Sequence, residues 1–228
     1  AQTADEYGIL IRNLFNLDSI RADEISGIMV ASVVPPLNRL LEEMAEKYFR
    51  LQAVFLGPGT KTGIAIHYDN PQDVGADRIA NSVAALEKYG GPCIIVDFGT
   101  AITFDAVSAK GEYLGGVIAP GVGISAEALF EHASRLQRVD IRQPEQVIGT
   151  NTVASMQSGL FYGAVGLMDG ILDRLTQELG GETKVVATGG QATLVASASK
   201  YKPPVDASLT LEGLRIIYER NLPGPRRK

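Results

Sequence analysis

Residues 93–120, CIIVDFGTAITFDAVSAKGEYLGGVIAP, decide the fold. Cys93 to Val96 is an apolar run without polar alternation, the pattern of a strand covered on both faces. It stops at Asp97-Phe98-Gly99-Thr100. Ala101 to Val107 resumes a β-rich pattern, Ser108-Ala109-Lys110-Gly111 supplies a turn, and Glu112 to Ala119 reads as a third strand holding the Gly115-Gly116 pair. The spacing predicts a β-meander with a carboxylate at its first bend. Such a bend can serve a nucleotide: Gly99 lets backbone amides approach phosphate oxygens, Thr100 offers a hydroxyl, and Asp97 is a hard oxygen ligand for a cation. It can equally be a turn in which Asp97 caps backbone amides and Thr100 satisfies itself locally. This stretch alone leaves both open.

Composition narrows the classes. The 228 residues are 45% hydrophobic, enough for a substantial core in one large or two small domains. The net charge is −5, and the one basic cluster, Arg226-Arg227-Lys228, is terminal, which speaks against a nucleic-acid binder. Cys93, the single cysteine, rules out an internal disulfide framework or thiolate metal cluster, so a reducing, cytoplasmic setting is expected. Neither a membrane span nor a signal-peptide pattern is expected.

Outward from the meander, the chain alternates helices and strands. Thr3-Ala4-Asp5-Glu6 has capping-box spacing, and Tyr7 to Phe15 continues with helical periodicity. Ile28 to Val34 predicts a buried strand ended by Pro35-Pro36, which cannot donate to a ladder. Leu37, Leu40, Leu41, Met44, Ala45 and Tyr48 mark an amphipathic helix, and Gln52 to Leu56 a further strand. Gly57 to Gly63 lacks the spacing of a Walker loop and reads as a turn from which Lys61 could reach a ligand. Asp77 and Arg78 fall at the start of a helix running to about Tyr89. There a carboxylate suits the exposed amides and the arginine could grip an acidic substrate, or the pair could be an N-terminal acid with a solvated neighbour.

Downstream, Ser125 to Leu136 predicts a helix and Val139 to Thr150 a polar loop. Thr152 to Leu179 predicts a long helix in which Gly159, Gly163 and Gly166 allow close packing, within the chain or across a dimer. Lys184 to Ala187 is a short strand leading into Gly189-Gly190 and a helix over Gln191 to Ser199, a junction that can set amides near a nucleotide or merely cap a turn. Leu209 to Asn221 reads as a helix with Leu211, Leu214, Ile217 and Tyr218 on its apolar face. His67 and His132 lack the partners of metal ligands.

Five motifs stand in order: YDNPQDVGADRIAN (68–81), VDFGTAITFD (96–105), GGVIAPG (115–121), NTVASMQSG (151–159) and ATGG (187–190). Together they resemble the type III pantothenate kinases over nearly the whole chain. The resemblance implies an α/β chain of two RNase H-like, actin-like ATPase domains with mixed five-stranded sheets flanked by helices. The division expected is 1–89, with the pantothenate loop, and 90–228, with cation and nucleotide contacts and a dimer helix. The implied reaction is ATP-dependent phosphorylation of pantothenate to 4′-phosphopantothenate, the first step of coenzyme A biosynthesis. By the same match Asp77 is the catalytic proton acceptor, with Tyr68, Gly75, Ala76, Asp77, Arg78 and Thr152 on the substrate. Asp97 is the ligand of potassium or ammonium, Gly99, Thr100, Gly189 and Gly190 lie on ATP, Mg2+ accompanies the nucleotide, and a homodimer is expected.

One departure accompanies the match. The family begins with a strand bearing an Asp-X-Gly-Asn-Thr phosphate motif, which this sequence lacks, so the first domain is expected to be missing its N-terminal strands and the sequence to be incomplete there. A non-catalytic relative, or a kinase for another small hydroxy acid, stays open as an alternative.

Overall fold

A computed structural model describes residues 2–133 and 136–222. The tail Arg226-Arg227-Lys228 and the Ser134-Arg135 part of the expected Ser125–Leu136 helix lie outside them. The first helix, α1 (Ala4–Leu17), opens with the expected capping box: the Thr3 hydroxyl accepts from Glu6 N–H, and the Glu6 carboxylate accepts from Thr3 N–H at 2.6 Å. Two amides that a helix start leaves free are thereby satisfied. Next, β1 (Ile28–Val30) pairs in parallel with β2 (Ala53–Phe55), with α2 (Pro35–Phe49) as the crossover. The strand expected over Ile28–Val34 is thus shorter. Pro35 and Pro36 take the first helical positions, where a missing N–H costs nothing, and Val33 and Val34 are left exposed in the connection.

The main sheet contains β3 (Ala65–Ile66), β4 (Cys93–Phe98), β5 (Ala101–Val107), β6 (Glu112–Pro120) and β7 (Lys184–Thr188) in the order β3-β6-β5-β4-β7. The meander β4-β5-β6 is antiparallel, while β3 and β7 run parallel to their neighbours β6 and β4. This is a mixed five-stranded α/β sheet with helices on both faces. On one face α4 (Val122–His132), α5 (Thr152–Leu179) and α6 (Ala192–Ala196) bury Ile94, Val96, Phe98, Ile102 and Phe104. On the other, α3 (Ala76–Tyr89) and α7 (Leu209–Asn221) cover Cys93, Ile95, Val107 and Val186, and reach Tyr113 of β6. Each such side chain removed from water contributes about 1.5–3 kcal/mol, so the central strands anchor the molecule.

Helices α3 and α7 cross closely. A Cβ on Gly213 would lie 2.0 Å from the Ala80 carbonyl oxygen, so only glycine permits the contact. The buried face of α7 is Leu209, Gly213, Ile216 and Ile217, whereas Leu211, expected inside, is 70% exposed. At its far end Asn221 accepts from Lys61 N–H and donates to Lys61 C=O, both at 3.0 Å, and Arg220 donates to the Thr62 carbonyl and pairs with Glu87. The 57–63 loop is clamped to that helix. On α5, a Cβ at Gly159, Gly163 or Gly166 would meet nothing within 4 Å among the described residues, so this glycine face packs tightly against none of them. Among the described residues no helix is long and apolar enough to cross a membrane.

Candidate active site

The period-two alternation of a strand places the acidic groups. With Ile94, Val96 and Phe98 of β4 turned to α5, Asp97 falls on the face of Cys93 and Ile95, under α3. On β5, Ile102 and Phe104 likewise face α5, and Asp105 falls on the α3 side with Val107. The register sets Asp97 opposite Thr103 and Ile95 opposite Asp105, so the two carboxylates are diagonal neighbours on one face. Above them the first turns of α3 present Asp77, Arg78 and Asn81, where Asp77 and Asn81 share a face at i, i+4 spacing.

Asp97 Oδ2 accepts from Asn81 Nδ2 at 2.9 Å, and Asn81 Oδ1 accepts from the Thr210 hydroxyl at 2.7 Å. Burial pushes the Asp97 carboxyl above its ordinary range, the Asn81 bond opposes this, and the neighbouring charge of Asp77 adds to the rise. Two facing carboxylates with no Lys or Arg paired to either, among the described residues, make a place where a cation is electrostatically wanted. The backbone is drawn in close there. Gly189 has φ +94°, and a Cβ there would lie 2.5 Å from Asp97 Oδ1 and 2.7 Å from the Phe98 backbone. Gly99, Thr100 and Gly190 form an exposed rim beside it. No group of three or more His, Cys, Asp or Glu side chains suited to a metal occurs among the described residues, so any cation at Asp97 would take its other oxygens from backbone, substrate or water.

Arg78 is buried and donates from Nε to Asp105 Oδ1 at 2.7 Å. The same oxygen accepts from the Tyr113 hydroxyl at 2.9 Å, and Oδ2 accepts from Thr103 at 3.3 Å. Burial pushes Asp105 up to about 6 against the pull of Arg78 and these hydroxyls, leaving it ionised at neutral pH. For Arg78 burial is the largest influence and works against the charge, but Asp105, Tyr113 and the Tyr68 hydroxyl together hold the guanidinium above its ordinary value. Gly116 stands directly opposite Asp105 on β6, and a Cβ there would come within 3.2 Å of Arg78 Nη2 and 1.7 Å of the Phe104 carbonyl oxygen. Gly116 therefore leaves the guanidinium its space, whereas a Cβ on Gly115 would meet the Tyr68 ring at 3.3 Å.

The structure brings most of the predicted residues together. Asp77 is half-buried, and its Oδ1 accepts from the N–H of Arg78. Gly75, the N-cap, could carry no side chain without striking that oxygen at 2.5 Å. Gly75 and Ala76 line a cavity of about 600 Å3 shared with the 57–62 loop and Ile79. The Tyr68 ring lies 6.3 Å from that of Tyr113 and borders Gly115. Thr152, by contrast, opens α5 at an exposed position, and no hydrogen bond ties it to the Asp77 group. Lys61 is held by its backbone, with an exposed side chain, and His67 is an exposed partner of Glu112 at 3.6 Å. Sequence reasoning passed over Asp105, Asn81 and Thr210. A charged residue in the middle of the apolar run Ala101–Val107 and an amide four residues after Asp77 were the available signals.

Comparison with known proteins agrees with this picture. The family model described as type III pantothenate kinase matches residues 1–174. The type III pantothenate kinase of Koribacter versatilis is 62% identical over 227 residues, covering 100% of this chain and 83% of that protein. That of Myxococcus xanthus is 60% identical over 220 residues, covering 96% of this chain and 86% of its own length. Among solved structures, a conserved Baf family transcriptional activator from Campylobacter jejuni superposes with a TM-score of 0.59 at 23% identity, covering 86% of this chain and 84% of the other, a likeness of fold. On these matches the chain belongs to the type III pantothenate kinase family.

Proposed function

We propose that the protein is an ATP-dependent kinase that phosphorylates the hydroxyl of pantothenate, the first step of coenzyme A biosynthesis. The observation that carries this reading is the group at the start of α3: a half-buried Asp77 beside a buried Arg78, facing the desolvated Asp97 of β4. Phosphoryl transfer has a loose transition state, so orientation and charge compensation count for more than a strong base. Asp77 orients the pantothenate hydroxyl and accepts its proton, while the fixed amides around Gly75 and the guanidinium of Arg78 hold the acid end. Tyr68, Ala76 and Thr152 complete the substrate contacts. When bound, ATP supplies the phosphoryl group and Mg2+ offsets the charge of its phosphates.

Asp97, with nearby backbone oxygens, would hold a monovalent cation, potassium or ammonium, and Gly99, Thr100, Gly189 and Gly190 the nucleotide edge. In this reading the units 1–89 and 90–228 meet where α3 lies on the main sheet, with Asp77 across from Asp97. The open glycine face of α5 supports a homodimer through that helix, and the single buried Cys93 suits the cytoplasm. The test is ADP release by the purified protein with ATP, Mg2+ and potassium, with and without pantothenate. Pantothenate-dependent release is expected, and its absence, or turnover confined to another hydroxy acid, overturns the assignment.

A further inference from the structure

Asp105 is fully buried on β5, and each contact it makes is with a donor: Arg78 Nε, the Tyr113 hydroxyl and the Thr103 hydroxyl. A carboxylate sunk this deep costs far more than a neutral residue would, and apolar packing in its place would serve stability as well or better. What it secures instead is geometry. A guanidinium is planar, so fixing Nε fixes the plane of the whole group. Arg78 Nη2 is buried without an acceptor in hydrogen-bond geometry, and it lies beside Gly116 and near the Tyr68 hydroxyl, which also supports the charge of the guanidinium. A buried N–H without a partner marks the place of a missing acceptor. Asp77 precedes Arg78 on α3, but the long arginine side chain carries its guanidinium to Asp105 and Gly116, so that acceptor would be the far end of a substrate whose hydroxyl meets Asp77.

We propose that Asp105 is a positioning residue for the acid-binding half of the site: by holding Arg78 through Nε, with Tyr113 as its brace, it aims the rest of the guanidinium at the carboxylate of the substrate. Asp105 touches no substrate itself. The proposal rests on the kinase reading above and adds to it the origin of the preference for an acid. An ordinary anchoring ion pair would instead hold α3 to the sheet and act equally on every substrate.

The experiment compares pantothenate with pantothenyl alcohol, which carries a CH2OH group in place of the carboxylate, in the parent protein and in Asp105→Asn. In the parent, kcat/KM is expected to favour pantothenate. In Asp105→Asn that ratio is expected to fall about 10- to 100-fold, through KM for pantothenate, with KM for ATP within about twofold of the parent. Tyr113→Phe, which keeps the ion pair and removes only the brace, is expected to lower the ratio by about threefold. Tyr113→Phe also decides the matter if Asp105→Asn does not fold. A parent without pantothenate-dependent turnover overturns the kinase reading and this inference with it. An active parent whose foldable variants keep the parental ratio, or lose both substrates equally, overturns this inference alone.

Discussion

Two of the three parallel strand pairings among the described residues have opposite fates. Around β4 and β7, the side chains of Ile94, Ile95 and Val96 are wholly buried, and helices close both faces. Around β1 and β2, Ile28 to Val30 are only half-buried and Val54 is exposed. The helix α1 beside them shows Ile9, Leu10, Leu14 and Leu17 to the outside, and a small cluster centred on Ala4, Met44 and Phe49 joins it to α2. Strand pairing alone does not make an interior; a sheet needs enough strands for two helical layers to seat on it. The acidic groups of the candidate site lie on the sealed sheet, where Asp97 and Asp105 can be held away from water, or, for Asp77, on the helix α3 that covers it. The acid of the open region, Asp5, meets Lys47 and Tyr48 at the surface.

The sharpest way to break that contrast is to remove one acid from each region. Asp77→Ala is expected to lower turnover at least about 100-fold while nucleotide binding, read by calorimetry, persists. Asp5→Ala is expected to leave turnover within about twofold, and equal losses would place the chemistry elsewhere. Packing gives the next largest difference: Phe104→Ala should cost about 3–5 kcal/mol by urea unfolding, and Leu14→Ala under about 1 kcal/mol, since its side chain is already half in water.

The smallest effect is in pH. Because Asp105 sits near 6 when folded and at its ordinary 3.8 when unfolded, the native state holds the extra proton between those values. Its contribution to stability therefore falls as pH rises from about 4 to about 6, the reverse of the surface carboxylates Asp173 and Asp206, whose values are lowered by Lys200 and Lys88. The unfolding free energy of the parent relative to Asp105→Asn should be larger near pH 4 than near pH 7. The opposite slope would show that Asp105 stays charged throughout.

What could be read from the sequence follows the range of the interactions. The capping box at Thr3, the β4-β5-β6 meander and the 28-residue α5 are specified by neighbours a few positions apart, and the structure has them close to where periodicity puts them. Pro35-Pro36 was read as a strand stop, yet proline is as well suited to a helix start, and local chemistry does not choose between the two. Strand β3 is two residues long and exists by pairing with β6 across the whole meander, so no pattern announces it. α4 starts earlier than expected, at Val122, and α6 covers only Ala192–Ala196 of the predicted Gln191–Ser199. In the site, Asp77, Arg78 and Asp97 stand at a helix start and a strand end, where local chemistry suggests a role; Asn81 and Asp105 close the same motifs without such a signal. Asp105 and Asn81 acquire their roles from register and helix docking: one is set opposite Gly116, the other between Asp97 and Thr210.

The crossing at Gly213 has a mechanical consequence. Helix α7 is tied near its start to Asn81 through Thr210 and at its end to the 57–63 loop through Asn221 and Arg220, with its backbone pressed on Ala80 in between. Leu209, Ile216 and Ile217 are buried on either side of Gly213, so the helix is seated along its length. One rod therefore carries both the Thr210 hydroxyl that fixes Asn81 beside Asp97 and the clamp on the loop that lines a cavity with Gly75 and Ala76.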